Sequence, residues 1–279
     1  MAPFERLRTI ILDGGLPAPS PEDMAKINEI DAAVEGSDEE LANRLQELST
    51  KLSEKLEEMF GQSRGGYRGT TLAPLPENNG QQFTEIALIT QEHQRRLDTI
   101  RNIVADLFPD VMIIDGGIKS VERALKKEEG YKKRHPANTN DIAHCPDLSR
   151  IRLIASGLKE MSSLSYVIKN EMEGYGIIAN YNRYSTNFGK KYETPFKGVI
   201  WNFCWEDDNK DLTDTMSTEV QLVTARVAAV MSLNHAFDVE QILEYPDQET
   251  KDRVNALFCK ASILDLQELA ASLETPEEK

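Results

Sequence analysis

The sequence predicts an α+β protein in which a mixed β-sheet is flanked by helices. Short runs rich in β-branched and aromatic residues recur between longer segments with helical periodicity, and no internal repeat is visible. Two of these runs, 147–154 and 217–224, alternate polar and apolar residues as half-buried strands do. The chain has 279 residues, of which 40% are hydrophobic, and this is sufficient for one large domain or two small ones.

The N-terminal part of the chain is predicted to be helical. Ser20, followed by a proline and two acidic residues, is typical of a helix start, and it predicts a helix over residues 21–34. A second helix is predicted over residues 38–60, capped by Ser37, with leucines every three or four residues that form a packing stripe. The stripe and the terminal helix are also surfaces on which a homo-oligomer could form.

The remaining elements alternate between helices and strands. A loop rich in Gly, Pro, Asn and Thr is predicted at 61–80. His93 lies on the apolar stripe of the next helix, a position that favours a packing role. In chain order we predict a helix at 83–107, a strand at 111–114, a basic helix at 120–129, a loop at 131–146, a strand at 148–155, a helix at 158–173, a strand at 177–179, a loop at 183–194, strands at 198–205 and 217–223, and helices at 224–237 and 247–273.

Composition excludes several function classes. The formal net charge of −15 disfavours binding to nucleic acid or to an anionic membrane through a general basic field, although basic segments occur at 119–134 and 190–197. No apolar run approaches the roughly 20 residues needed to span a bilayer, and the first residues do not resemble a signal peptide. We therefore expect a cytoplasmic protein that does not bind a membrane. Three widely spaced cysteines fit neither a disulfide framework nor a zinc site.

The two alternating segments each carry a carboxylate, Asp147 and Glu219. Two acidic groups on rigid strands are suited to a divalent cation, and the neighbouring arginines indicate a phosphorylated ligand. From the residues alone Asp147 could instead be a turn acid, and Arg152 could pair with a nearby carboxylate. The other candidates for chemistry are Lys119, Lys127 and His235, the last of which could equally be a packing histidine.

Four segments also occur in a familiar order. Residues 117–127 resemble Arg-x-Lys-x-x-x-Ser-x-x-x-Lys, and 147–152 resemble Asp-(Leu/Ile)-x-x-(Ile/Val)-Arg. Residues 195–200 resemble Gly-Tyr-Arg-Ser-Leu-His, and 219–224 resemble Glu-(Ile/Val)-Gln-(Ile/Leu)-Arg-Thr, followed by Asn-His where Glu-His is usual. Together these segments resemble the synthetase domain of the RelA/SpoT family, which transfers pyrophosphate from ATP to the 3′-hydroxyl of GDP or GTP.

The resemblance implies a fold and a site. The fold would be a nucleotidyltransferase-like mixed sheet at 83–245, with a helical extension and loop at 1–82 and a C-terminal helix and acidic tail at 246–279. Mg²⁺ would be held by Asp147 and Glu219, and Glu219 would also help to activate the attacking hydroxyl. ATP would be bound by Lys119, Arg123, Lys127 and Arg152, the last by stacking on adenine, and the acceptor by Phe196, Lys197, Gln221, Thr224 and His235.

Departures from the family pattern concentrate on the acceptor side. Pro195 and Ile200 replace the glycine and histidine of the acceptor motif, Gly117 and Val223 replace arginines, and Arg123 replaces a serine. Three hypotheses therefore stay open at this stage. The chain is an ATP-dependent alarmone synthetase of the small, stand-alone type, or a toxin-like relative that pyrophosphorylates the 3′ end of tRNA, or a binding or assembly module on the same fold.

Overall fold

A computed structural model describes residues 19–62, 86–118, 149–171, 177–184, 197–204, 217–235 and 247–274. Within these ranges five strands form one mixed sheet in the order β1-β2-β5-β4-β3. The strands are β1 (Met112–Ile118), β2 (Ser149–Ala155), β3 (Ile177–Asn182), β4 (Val199–Cys204) and β5 (Ser217–Thr224).

The central pair of strands is parallel. β2 and β5 pair without a register shift from Ser149 opposite Thr218 to Ala155 opposite Thr224. The other three pairs, β1 with β2, β4 with β5 and β3 with β4, are antiparallel. Because side chains alternate between the faces of a sheet, residues directly opposite each other share a face. The register therefore decides which side chains meet.

Seven helices are described: α1 (Pro21–Ala33), α2 (Asp38–Lys51), α3 (Ser53–Phe60), α4 (Ile86–Ala105), α5 (Leu158–Glu171), α6 (Ala225–His235) and α7 (Gln248–Glu274). The helix starts predicted at Ser20 and Ser37 are confirmed. Ser20 Oγ accepts a hydrogen bond from the backbone N–H of Asp23, and Ser37 forms a capping box with Glu40. None of the described helices is long and apolar enough to cross a membrane.

Within the described residues, three predicted elements differ from the observed ones by more than one or two residues at an end. The predicted helix 38–60 is two helices, because the backbone turns at Leu52, where φ is −101° and ψ is 8°. Strand β1 continues past the predicted end at 114 to Ile118, with an irregular register between Asp115 and Ile118. Strand β3 extends to Asn182. The predicted helix at 120–129, the loop at 131–146 and most of the loops at 61–80 and 183–194 lie outside the described residues.

Glycine allows β1 to pack closely on β2 where the register is irregular. A Cβ atom at Gly116 would lie 2.9 Å from the backbone carbonyl oxygen of Arg150, which is too short for a carbon–oxygen contact. Gly117 adopts a positive φ of 67°, a conformation that glycine adopts without steric cost. The two glycines therefore allow β1 to stay paired with β2 as far as the residues that form the site.

One face of the sheet is covered by helices and forms the main core. Ile151, Leu153, Trp201, Val220 and Leu222 are buried there, with 0% of each side chain exposed. Helices α2, α3, α4, α5 and α7 pack against them with their apolar residues, including Leu41, Leu45, Leu52 and Leu56. The leucine stripe is therefore used within the chain. The helices near both termini share this core with the sheet, and the division into three segments stays a prediction.

A second apolar cluster closes the opposite face of the sheet at one end. Val223 of β5 and Ile154 of β2 share that face and pack against apolar residues of α1, α6 and α7. Because α7 contributes to both clusters, it is buried on two sides. The far end of that face, where β2 and β5 begin, carries polar residues instead.

A buried carboxyl group links α7 to the end of β5. Asp265 is 1% exposed, accepts hydrogen bonds from Thr224 Oγ1 at 2.5 Å and from Arg226 Nη1 at 2.8 Å, and Arg226 also binds Glu268 at 2.8 Å. Burial raises the pKa of Asp265 from 3.8 to about 6, although both hydrogen bonds and the charge of Arg226 act in the opposite direction. The native protein therefore holds a proton on this group over a range in which the unfolded chain has lost it.

We expect replacement of Asp265 by Asn to change how stability depends on pH. A carboxyl whose pKa is raised in the native state stabilises the protein below the unfolded pKa, and this contribution is lost as pH rises from about 4 to about 6. The wild type should therefore lose up to roughly 3 kcal/mol relative to Asp265→Asn across this window. Urea unfolding at pH 4.5 and pH 7 measures the difference, with the exposed Asp110→Asn as the control. If the difference in unfolding free energy between the wild type and Asp265→Asn does not change with pH, the raised pKa of Asp265 is contradicted.

Candidate functional site

Five polar side chains meet on the face of the sheet that is not occupied by the main core. Arg150 of β2 lies opposite Glu219 of β5, and Glu219 lies opposite Asn202 of β4. One step further along the strands, Arg152 lies opposite Gln221. We refer to these five residues as the polar patch. It exists because β2 and β5 place polar residues at alternate positions in register and β4 adds Asn202 beside them.

Apolar residues border the polar patch. Ile114 of β1 and Ile200 of β4 stand on either side of the Arg152–Gln221 pair. Ile154 and Val223 follow next along β2 and β5 and belong to the second apolar cluster. The patch is therefore a polar surface with an apolar rim, and such a surface can contact both the charged and the aromatic part of a ligand.

A chain of hydrogen bonds orders the centre of the patch. Arg152 Nε donates to Gln221 Oε1 at 3.0 Å, and Gln221 Nε2 donates to Glu219 Oε1 at 2.7 Å. Gln221 thus uses both ends of its amide to hold a guanidinium and a carboxylate in fixed positions. Only 14% of the Glu219 side chain is exposed, so this carboxylate is held in a partly desolvated position. A preorganised carboxylate of this kind can bind a cation or accept a proton.

The two arginines make the patch locally positive in a strongly acidic protein. Arg150 Nε lies 3.8 Å from Glu219 Oε1, which is an ion pair but too long for a hydrogen bond. Burial lowers the pKa of Arg152 to about 10, and the charge of Arg150 acts in the same direction while Glu219 opposes it. The Arg152 guanidinium is still protonated at neutral pH. Two cations against one carboxylate favour an anionic ligand such as a polyphosphate.

Two residues of the patch have buried polar atoms without a hydrogen-bond partner. The Nε atom of Arg150 is one of them. The other residue is Asn202, which is 1% exposed and in which neither the amide oxygen nor the amide nitrogen has a partner. Buried polar groups are nearly always hydrogen-bonded, so each exception needs an explanation. Both exceptions flank Glu219.

A buried hydrogen-bond network lies behind the patch, on the core face. His93 of α4, which is 4% exposed, has its Nε2 atom 2.7 Å from Asp115 Oδ1 and its Nδ1 atom 2.5 Å from Ser149 Oγ. Ser149 Oγ is 3.3 Å from Thr218 Oγ1, which accepts from Arg96 Nη1 at 2.8 Å. The network joins α4 to β1, β2 and β5. Because Ser149 and Thr218 immediately precede Arg150 and Glu219, it fixes the start of the two strands that carry the patch.

The acidic end of this network is Asp115. Burial acts to raise the pKa of its carboxyl, but hydrogen bonds from His93 and from the backbone N–H of Gly117, together with nearby positive charge, outweigh that effect and lower it. An ionised Asp115 accepts the Nε2 proton of His93, and this fixes the orientation of the imidazole ring. The prediction that His93 has a packing role is therefore incomplete, because its hydrogen bonds also connect α4 to the two strands β1 and β2.

The structure brings three of the predicted site residues together, namely Glu219, Gln221 and Arg152. It places Lys197 and Thr224 elsewhere. Lys197 Nζ donates to the backbone carbonyl of Arg183 at 2.9 Å. Burial lowers the pKa of Lys197, while the nearby Cys259 thiol of α7 acts to raise it. Thr224 faces the core and binds Asp265.

These placements correct the predicted acceptor side. Side chains alternate between the two faces along β5, so Thr224 lies on the same face as the buried residues Val220 and Leu222. It therefore cannot share a face with Glu219. Its hydroxyl also accepts from the backbone N–H of Val227 at 3.3 Å at the start of α6. His235 is exposed at the far end of α6 from Thr224, so it is not a packing histidine.

The remaining predicted residues lie outside the described part of the chain: Asp147, Lys119, Arg123, Lys127 and Phe196. Sequence reasoning missed Arg150 and Asn202. A signal for Arg150 was present, because it stands two residues before Arg152 in an alternating strand and must share its face. Asn202 gave a weaker signal, because its importance depends on which strand lies beside β4.

The described residues do not form a complete metal site. Within them no group of three or more His, Cys, Asp or Glu side chains could hold a metal ion. Glu219 supplies carboxylate oxygens, the ligand type that Mg²⁺ prefers. A separate cleft of about 460 Å³ between α1, α2 and α7 is lined by four acidic and two basic side chains and shares no residue with the polar patch. That lining does not suit a polyphosphate.

The fold is similar to that of solved nucleotide pyrophosphokinases. Small alarmone synthetase 1 from Bacillus subtilis, solved with its product pppGpp, aligns with a TM-score of 0.51 at 13% identity, over 72% of this chain and 100% of that one. Small alarmone synthetase 2 from Bacillus subtilis gives 0.51 at 16% identity, over 71% and 100%. A GTP pyrophosphokinase family protein from Streptococcus pneumoniae gives 0.51 at 15% identity, over 72% and 94%.

At these low identities the structural alignments show a common fold and no more. The sequence matches no family model, and no curated protein is similar to it at the level of sequence. The expected mixed sheet with flanking helices is confirmed, and it is the fold of the small alarmone synthetases. The roles of individual residues therefore rest on the geometry of the polar patch.

We expect His93→Ala to destabilise the protein by about 2–4 kcal/mol, because it removes the central member of a buried network and leaves Ser149 and Asp115 with fewer partners. The adjacent Gln94→Ala is the control. Gln94 is exposed and donates to the exposed Asp98 of the same helix, so its replacement should change stability by less than about 0.5 kcal/mol. Urea unfolding measures both. Equal stability of the two variants would show that the network does not hold the strands.

Proposed function

We propose that this protein is a Mg²⁺-dependent nucleotide pyrophosphotransferase that moves pyrophosphate from ATP to the 3′-hydroxyl of a purine nucleotide. The observation that supports this most directly is the hydrogen-bonded chain from Arg152 through Gln221 to Glu219, held on the parallel strands β2 and β5. It combines a carboxylate with fixed cations on one face of a sheet, within the fold of the alarmone synthetases.

The reaction demands alignment and charge neutralisation more than covalent help from the protein. The acceptor's 3′-oxygen forms a bond to the β-phosphorus of ATP, and the bond from that phosphorus to the oxygen bridging the α- and β-phosphates breaks. AMP leaves with the electron pair of the broken bond. In our proposal Glu219 accepts the proton of the attacking hydroxyl, since its carboxylate is held in place by Gln221.

The arginines neutralise the charge of the polyphosphate. Arg150 and Arg152 stand two residues apart on the same face of β2 and carry two positive charges beside Glu219. The planar guanidinium of Arg152 can also stack on a purine ring, because its Nε bond to Gln221 fixes the plane of the group. The ATP side of the site would thus lie over β2, and the acceptor side over β4.

Mg²⁺ fits the donor chemistry at the start of β2 and β5. In our proposal Glu219 holds the ion together with Asp147, two residues before Ser149, and Lys119, Arg123 and Lys127 bind the ATP phosphates. The bound ion would supply charge stabilisation to the phosphate oxygens. Phe196 would stack on the acceptor base, and His235 would contact the acceptor.

We expect Glu219→Gln to lower the release of AMP from ATP about 10³-fold, because the amide can neither accept the proton nor balance a cation. The replacement keeps the oxygen that accepts from Gln221, so the urea unfolding midpoint should not change. The exposed Glu171→Gln, at the end of α5, is the matched control and should keep wild-type turnover. Wild-type turnover of Glu219→Gln would contradict the assignment.

The same assay identifies the acceptor when γ-labelled ATP is offered with GDP, GTP, ADP and tRNA in parallel. The proposal predicts label in a purine nucleotide, together with an equal amount of AMP. Label in tRNA alone would identify a toxin-like enzyme. Absence of any product, with no binding of ATP analogues in calorimetry, would indicate a binding module.

A further inference from the structure

The side-chain amide of Asn202 is buried beside the proposed catalytic carboxylate, and neither of its polar atoms has a hydrogen-bond partner. It lies directly opposite Glu219 across the β4–β5 pair, so the two Cβ atoms are about 5 Å apart on the same face. Among the described residues, Asn202 is the one amide for which both polar atoms are buried and unpartnered. An amide that costs stability in this way is retained when a ligand supplies its partners.

The fold does not require an unpartnered amide at this position. Asn182, at the end of β3, is an asparagine of the same sheet whose side chain has a structural role. Its Nδ2 donates to the backbone carbonyls of Leu56 and Gly61, at 3.3 and 2.8 Å, and its Oδ1 accepts from the N–H of Tyr184 at 3.1 Å. Asn182 is fully buried and satisfied on the core face, whereas Asn202 is buried and unsatisfied on the face of the patch.

The chemistry of the amide indicates the kind of group that it binds. An amide offers an acceptor oxygen and a donor –NH2 group side by side, and a hydroxyl can bind to either, because it both donates and accepts. A phosphate oxygen would use only the donor, and a metal ion only the acceptor. If Glu219 takes the reacting 3′-hydroxyl, the polar group next to it on a ribonucleotide is the 2′-hydroxyl, and Asn202 is the adjacent side chain on the acceptor strand.

We propose that Asn202 binds the 2′-hydroxyl of the acceptor ribose and makes the enzyme selective for ribonucleotides over 2′-deoxyribonucleotides. This inference rests on the proposed function. The 2′-hydroxyl takes no part in the bond changes, so a 2′-deoxy acceptor can still react at its 3′-oxygen. Asn202 is therefore a specificity-determining residue rather than the base.

Steady-state kinetics of the 279-residue chain with GTP and 2′-deoxy-GTP test this proposal. The wild type should prefer GTP in kcat/KM by about tenfold, as expected when a buried amide loses its partner. Asn202→Leu, which keeps the shape of the side chain, should remove this preference while the KM for ATP stays within about twofold. Its thermal unfolding midpoint should be equal to or higher than that of the wild type, because no hydrogen bond is lost.

Asn182→Leu is the matched control, with a lower unfolding midpoint and an unchanged preference for GTP. The proposal is overturned if Asn202→Leu keeps the wild-type preference, if it slows both acceptors equally, or if it raises the Mg²⁺ requirement instead, which would make the amide oxygen a metal ligand. If the wild type transfers nothing, the proposed function fails. Calorimetry of GTP and 2′-deoxy-GTP binding then tests Asn202 alone, and equal affinities of the wild type for the two nucleotides overturn the inference.

Discussion

The parallel pairing of β2 with β5 is the constraint on which the rest of the structure depends. Its register, continuous over seven residue pairs, sends Ile151 and Val220 into the main core and places Arg150 beside Glu219 on the other face. A shift by one residue would exchange the two sets, burying charges in the core and exposing the apolar residues. The hydrophobic core therefore specifies the geometry of the polar patch, and core and site cannot vary independently.

The core face also contributes polar support. The network around His93 ties α4 to the first residues of β2 and β5, on the side of the sheet opposite to the patch. Arg150 and Glu219 thus each follow directly after a residue that is fixed from behind. In contrast, the amide of Asn202 and the Nε atom of Arg150 have no such partners. The site thus combines fixed groups at its centre with unsatisfied groups at its edges, as expected for a surface that completes its hydrogen bonds with a ligand.

Much of the fold could be predicted from the sequence because its signals are local. Periodicity and capping residues predicted most elements within a few residues, and the alternation in 217–223 placed Glu219 and Gln221 on one face. The break at Leu52 was missed because the leucine stripe continues through it. The acceptor residues were harder to predict. Thr224 was assigned to the site because of its position in a motif, whereas the alternation of side chains along β5 places it on the core face. The importance of Asn202 follows only from the strand order, which no local pattern reveals.

The central claim is that the polar patch binds nucleotide, and a crystal structure with a non-hydrolysable ATP analogue, Mg²⁺ and GDP tests it most directly. The account predicts the polyphosphate against Arg150 and Arg152 on the β2 side, and the acceptor ribose over Glu219 on the β4 side. Nucleotide bound elsewhere, for example in the acidic cleft between α1, α2 and α7, with the polar patch unliganded, would contradict it.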